Sequence, residues 1–463
     1  MQAEVQLSEK VAFMKAGQTM NSKVSQQQSD RRQFLATTTG VLGAVAGVGF
    51  FAGTSAAQQS TSPNERLNLA AVGSTGRAGA NIKGCATQNI IAIADIDSEL
   101  LDKGCQPYPN AKKYIDFREM LDSEAEKIDG VLVGTPDHTH APAAALALRL
   151  GKHTYCEKPL AHTVFEARTL ANLAAEKNLV TQMGTQIHAG SNYRRVVELI
   201  QAGVIGSVKR VHVWSAARYT GASFNTQPKP DHVNWDLWLG PALERPYSAD
   251  IHPFKWRSFW DYGRGALGDF GCHYMDLVHW ALDLQNPVSV KAIGPTPDLV
   301  TTPEWCVVDY QYPRRGKKPA VHMTWYDSGR RPEIINTLRD KTGELMEPWS
   351  SGQLFIGSQG MILSGYSKHI VFHEGQEVEP ERPDPWIDDS IGHHAEWMGA
   401  IRDGGETTCN FHYSGGLTES VLLGSVAFQS GEEIQWNSKQ LKVTNSAHAQ
   451  QYVHKEYRKG WSL

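Results

Sequence analysis

Three side chains in this sequence are of the kind that move protons during alcohol chemistry: Lys158, Asp269 and His273. A lysine in the segment Glu157-Lys158-Pro159 can hold a carbinol oxygen and lower the alcohol pKa by its charge. Asp269 and His273 are four residues apart, so on a helix both point one way, and Asp269 is expected to orient the imidazole as a base. Asp276 and His279 follow, but His279 falls off the face the others share, so no metal is expected. His393 and His394 with Glu396 read as an exposed helix start rather than a ligand set.

A base beside a cation needs something to take the hydride, and a place for it stands upstream. Val72-Gly73-Ser74-Thr75-Gly76-Arg77-Ala78-Gly79 spaces its glycines by three, which lets the backbone turn sharply, approach a pyrophosphate and open a helix whose free N–H groups face the phosphates. Asp95, at the expected end of the next strand, is placed to accept the adenosine ribose hydroxyls. A carboxylate there repels the 2′-phosphate of NADP and favours NAD, while Arg77 leaves NADP open. A flavin or a nucleotide sugar is the alternative occupant of such a turn.

The elements that must carry these residues are legible as alternating patterns. Strands are predicted at 67–72, 90–95, 113–115, 130–134, 153–156 and 180–183, with helices at 78–86, 98–104, 117–123, 141–150 and 164–177 between them. This is an α/β Rossmann domain with a doubly wound parallel sheet, over residues 65–185. Ligands of such sheets sit at the carboxyl ends of the strands. There the sequence offers a loop with Thr135, Pro136, His138 and His140, then Glu157 and Lys158, then Gln186. From 186 to 463 the pattern changes to period-two segments at 208–214, 288–293, 306–310, 320–325, 354–356 and 369–372, with helices at 192–202, 272–282 and 394–402. An α+β domain with a large, mainly antiparallel sheet is expected, one face covered. Gln186, Tyr193, Trp256 and Arg257 are further candidates to touch the substrate. Trp214, Tyr219, Trp235, Trp238, Trp260 and Tyr262 crowd the same stretch; rings among hydrogen-bonding side chains suit pyranose faces, although most of them are expected to be packing.

With 45 basic and 49 acidic side chains in 463 residues, the chain has no basic field for nucleic acid. Its six cysteines are scattered singly and read as buried thiols. Residues 1–57 read as an export signal of the twin-arginine type: Arg31-Arg32, a moderately apolar run through Gly53, and small residues at Ser55-Ala56-Ala57, followed by a linker at 58–64. An exported, periplasmic protein with no stable membrane insertion after cleavage is expected; an uncleaved membrane anchor is the alternative. That route carries proteins already folded, which fits a cofactor bound before export.

The Gly73/Gly76/Arg77/Gly79 turn, Asp95, Glu157-Lys158-Pro159 and Asp269-Phe270-Gly271-Cys272-His273 together resemble the Gfo/Idh/MocA oxidoreductases, the family of glucose-fructose oxidoreductase and inositol dehydrogenase. The ending from Tyr413 to Trp461 resembles its exported subset. The resemblance implies tightly held NAD, a carbohydrate or polyol substrate, Lys158 and His273 as the catalytic pair with Asp269 in support, and a second-domain sheet that makes dimers or tetramers. Two other outcomes stay open: redox-neutral cleavage of a glycoside through a transient keto sugar, and a non-catalytic sugar and dinucleotide sensor.

Overall fold

The computed structural model describes residues 66–219 and 224–463. The arginine pair, the apolar run and the linker predicted at 58–64 lie outside them. Among the described residues no helix is long and apolar enough to cross a membrane.

Six parallel strands form the first sheet: β1 (Asn68–Val72), β2 (Asn89–Ala94), β3 (Lys112–Tyr114), β4 (Gly130–Val133), β5 (His153–Glu157) and β6 (Thr181–Gly184), in the order β3-β2-β1-β4-β5-β6. Between them run α1 (Gly76–Gly84), α2 (Ser98–Cys105), α3 (Phe117–Glu124), α4 (Asp137–Arg149) and α5 (Val164–Glu176). All four residues of β4 are buried, as helices on both faces require. The strand order reverses direction at β1/β4, so a ligand crevice opens at the carboxyl ends of these two strands.

One difference from the sequence reading matters for the site. Helix α4 begins at Asp137, four residues earlier than expected, because Pro136 at the N-cap already holds φ −61° and Thr139 N–H bonds back to its carbonyl. Asp137, His138 and His140 therefore lie on a rigid first turn and not on a loop.

The chain continues through α6 (Ser191–Gln201), β7 (Arg210–Trp214), α7 (Trp235–Leu239), α8 (Gly265–Leu282), β8 (Ser289–Ile293), β9 (Val307–Tyr312), β10 (Val321–Tyr326), β11 (Gly352–Ile356), β12 (Met361–Ser364), β13 (His369–His373), β14 (Gln376–Val378), α9 (His393–Asp403), α10 (Phe411–Ser430), β15 (Ile434–Asn437), β16 (Lys442–Val443) and α11 (Ala447–Gln450). Ten strands make the second sheet, antiparallel throughout except where β10 runs parallel to β7. Helices α8 and α10 lie against it.

Helix α10 is absent from the sequence reading. It is buried nearly all round, between α5 and the second sheet, so it carries no polar stripe to mark its period, and three glycines interrupt it. It ties the two domains: Arg168 of α5 donates to both oxygens of Glu419, at 2.6 and 2.7 Å. Val133 and Leu170 of the first domain share one apolar core with Val213, Tyr310 and Val426 of the second. The site between the sheets therefore sits on a single packed body.

Candidate active site

The turn after β1 is built as the glycine spacing implies. Gly73 (φ +95°) and Gly76 (φ +57°) occupy the left-handed region, and a Cβ on Gly73 would lie 2.9 Å from the Cβ of Ala78. Across the crevice, a Cβ on Gly134 would lie 2.8 Å from Ala78 Cα. Thr75, the N-cap of α1, makes no side-chain cap bond, so the first-turn amides of that helix remain available to phosphate oxygens. Asp95 grips the turn: Ser74 donates to its Oδ2 from the backbone N–H at 2.9 Å and from Oγ at 2.6 Å, while Asp97 N–H donates to Oδ1 at 3.1 Å. Its carboxylate thus fastens the phosphate turn as well as facing the cleft. These features fit a dinucleotide, with Gly73–Ala78 at the pyrophosphate and Asp95 at the ribose.

One cleft of about 1040 Å³ runs from this turn to α8. It brings together Gly73, Ser74, Thr75, Gly76, Arg77, Ala78, Asp95, Thr135, Pro136, His140, Glu157, Lys158, Gln186, Trp256, Arg257, Asp269 and His273. Two sequence candidates do not reach it. His138 points away from the crevice into the aromatic cluster of Trp238 and Tyr262, with Nε2 against the Trp238 carbonyl at 2.8 Å. Tyr193 is buried behind α8, where its hydroxyl donates to the His273 carbonyl at 3.0 Å and accepts from Gln353 at 2.8 Å. Instead of touching substrate, it holds the helix that carries His273.

Lys158 is not a surface cation paired with Glu157. Its Nζ donates to Asp269 Oδ1 at 2.6 Å and to the Asp269 carbonyl at 2.7 Å. Arg257 Nε stands 3.4 Å from Asp269 Oδ2. Burial alone would raise the Asp269 pKa, but Lys158, Arg257 and a hydrogen bond from Tyr219 hold it well below the usual carboxylate range. Glu157 serves a different purpose. It accepts from Asn81 Nδ2 at 2.9 Å and Gln186 Nε2 at 2.7 Å, fixing the β5 and β6 ends against α1.

The expected Asp269–His273 hydrogen bond is not made. Both residues lie on one face of α8, but Lys158 and Arg257 take the carboxylate, so the His273 ring is left with Nδ1 buried and without a partner. Burial, reinforced by the Lys158 charge, pushes the His273 pKa down to about 3. The imidazole is neutral at physiological pH and can accept a proton. One turn on, Asp276 accepts from His188 at 2.9 Å and from the Tyr413 hydroxyl at 2.7 Å, while His279 meets the Tyr312 hydroxyl at 3.1 Å. His188, Asp276 and Cys409 do cluster within 4.8 Å, and the aspartate accepts from both His188 and Tyr413, while His188 Nε2 is left without a partner. His393 is buried rather than exposed, with Nε2 against the Met183 carbonyl at 2.8 Å.

Several cleft residues escaped the sequence reading. Ile96, Leu100, Ile115 and Phe117 make an apolar wall beside Asp95, and Tyr366 arrives from beyond β12. Asp137 also faces the cleft; its position after a helix-capping proline was the available signal. A lid closes the adenosine end. Val233 pairs with Asp97, Asn234 N–H donates to the Ile96 carbonyl at 2.9 Å, and Leu237, Trp238, His252 and Phe254 join the lining. Arg458 holds α7 from outside, donating from Nη2 to the Asp236 carbonyl at 2.8 Å and from Nε to the Gly240 carbonyl at 3.1 Å. Of the aromatics singled out, Trp238 and Trp256 line the cleft, while Trp214 is packed under the second sheet.

Two family models account for both domains. Residues 42–185 match "Oxidoreductase family, NAD-binding Rossmann fold", and residues 190–318 match "Oxidoreductase family, C-terminal alpha/beta domain". The chain belongs to the Gfo/Idh/MocA family. Among its curated relatives, levoglucosan dehydrogenase of Pseudarthrobacter phenanthrenivorans is 29% identical over 41% of this chain and 41% of its own. The rhizopine catabolism protein MocA of Rhizobium meliloti is 26% identical over 49% of this chain and 59% of its own. The alignments thus span about half the length of these relatives. An inositol dehydrogenase homologue of Azotobacter vinelandii, solved with NADH and myo-inositol, shares the fold at 19% identity and a TM-score of 0.56, covering 80% of this chain and 98% of its own.

Proposed function

We propose that this protein is an exported NAD-dependent oxidoreductase acting at a carbinol or keto carbon of a sugar, glycoside or polyol. The observation that carries the reading is the placement of Lys158, pinned to Asp269, beside the unpaired neutral ring of His273 in the same cleft as the Gly73–Ala78 turn. NAD, when bound, supplies the hydride-accepting nicotinamide ring.

The chain's own groups do the rest. Lys158 Nζ, with two acceptors from Asp269, keeps donor capacity for the substrate oxygen and stabilises charge developing there. His273, whose ring is uncharged at neutral pH, is placed to take the hydroxyl proton. Arg257 shares the charge of Asp269, so that Lys158 is positioned without being neutralised. The segment from Val233 to Phe254, which lines the cleft beside Asp97, would add contacts to the dinucleotide, which suits a protein that carries its cofactor out with it.

The test is to purify the protein from its exported fraction, release and identify any bound dinucleotide, and follow NADH absorbance with levoglucosan, myo-inositol and a panel of glycosides. NAD recovered with the protein and NADH formed on addition of one sugar are expected. Failure to bind any dinucleotide would overturn the reading.

A further inference from the structure

The proton chemistry above leaves one acid of the cleft unused. Asp137 is the first residue of α4, 3% exposed, and faces the cleft that holds Lys158, Asp269 and His273. Among the described residues no hydrogen bond or ion pair engages its carboxyl. The other buried acids at the site are all spoken for: Asp269 by Lys158 and Arg257, Glu157 by Asn81 and Gln186, Asp95 by Ser74 and Asp97. A carboxyl that lines a cleft and has no partner in the chain is left for water or a ligand to complete.

We propose that Asp137 is a substrate-contacting residue whose carboxyl hydrogen-bonds a substrate hydroxyl next to the carbon held by Lys158 and His273. The inference rests on the sugar-directed reading above and names a further contact of that site.

The charges around Asp137 decide its protonation. From α8 it faces the carboxylate of Asp269; from the β5 end, Lys158; and beyond them Arg257 and Arg264, with neutral His138 and His140 on its own helix turn. Lys158 and Arg257 are committed to Asp269, so their pull on Asp137 is largely cancelled, and the amides of α4 favour the anion only modestly. Burial and the Asp269 charge prevail and raise the Asp137 pKa to about 7. Two carboxyls in one cleft are thereby driven apart, one fixed as the anion and the other kept as a donor, which is how environments assign acid and base roles.

Two measurements on the dinucleotide-loaded protein test this, with Asp137→Asn as the variant because the amide keeps the shape and the donor but does not titrate. Infrared difference spectra between about pH 5 and about pH 9 should show a protonated carboxyl band in the parent protein that is weaker in Asp137→Asn, the remainder coming from Asp327. This readout needs no substrate, so it stands or falls separately from the sugar-directed reading. With levoglucosan and myo-inositol, KM for whichever is turned over should rise about tenfold between about pH 6 and about pH 8 in the parent and stay flat in Asp137→Asn. An unaltered infrared band in the variant overturns the proposal. So does a KM profile superimposable on the parent's. A variant that loses turnover equally at every pH while retaining its dinucleotide also overturns it, since that is a structural role. Absence of turnover in both proteins, with the band present, counts against the sugar reading and leaves the protonated Asp137 standing.

Discussion

Lys158 Nζ lies 2.6 Å from Asp269 Oδ1, joining the end of the first sheet to the helix of the second domain. This bond sets the cation where the nicotinamide and substrate would meet. Lys158→Ala should lower turnover about 10³-fold while the dinucleotide stays bound, read by stopped-flow NADH absorbance and by dinucleotide content. Full turnover in the variant would show that another group holds the substrate oxygen.

Asp269→Asn leaves two half-buried cations, Lys158 and Arg257, without their anion. It should cost about 3 kcal/mol of stability and lower kcat more than it raises KM, because Lys158 is released from its position. Denaturant unfolding and steady-state kinetics on the same preparation check both parts.

Gly73→Ala forces a side chain into a left-handed conformation and against Ala78. Dinucleotide binding should fall at least about tenfold, by fluorescence titration, with a lowered melting temperature from backbone strain of about 1–3 kcal/mol.

Arg458→Ala removes the guanidinium that holds α7 over the adenosine end. The bound dinucleotide should exchange about tenfold faster in a chase experiment, with little effect on the chemical step. An unchanged exchange rate would mean that α7 is held by its aromatic packing alone.

Many of the imidazoles titrate below the ordinary histidine value of about 6.5, His162 well below it. Burial pushes His138, His273, His279 and His393 down to about 3, and His140 and His212 to about 4. Unfolding restores their affinity for protons, so stability is lost as pH falls from about 6.5 towards 3. Asp137 and Asp327, raised by burial to about 7 and about 6, act oppositely, since the folded state binds their protons more tightly. The lowered imidazoles outnumber the raised acids, which also include Asp95, Glu157 and Glu419, so the melting temperature should drop between about pH 6.5 and about pH 4.

What could be read without the structure was whatever local pattern announces. The parallel sheet followed from short apolar runs alternating with helical stretches, and the dinucleotide turn from glycines whose lack of Cβ is a requirement of the backbone itself. Lys158, Asp269 and His273 were nameable as a set because their residue types and neighbours limit the chemistry they can do. Which of them touch was not. Two side chains four apart on α8 looked like partners, but a lysine from a strand end more than a hundred residues away takes the carboxylate first, at a cleft wall that neither segment encodes alone. The same holds for Tyr193, turned behind α8, for α10, whose burial on all sides erases its periodicity, and for Asp137, whose unpaired state depends on every charge around it being engaged elsewhere. Residue types and local spacing determined the fold class and the kind of chemistry; the long-range packing of two domains decided the partners, because hydrogen bonds and burial are set by what arrives from distant parts of the chain.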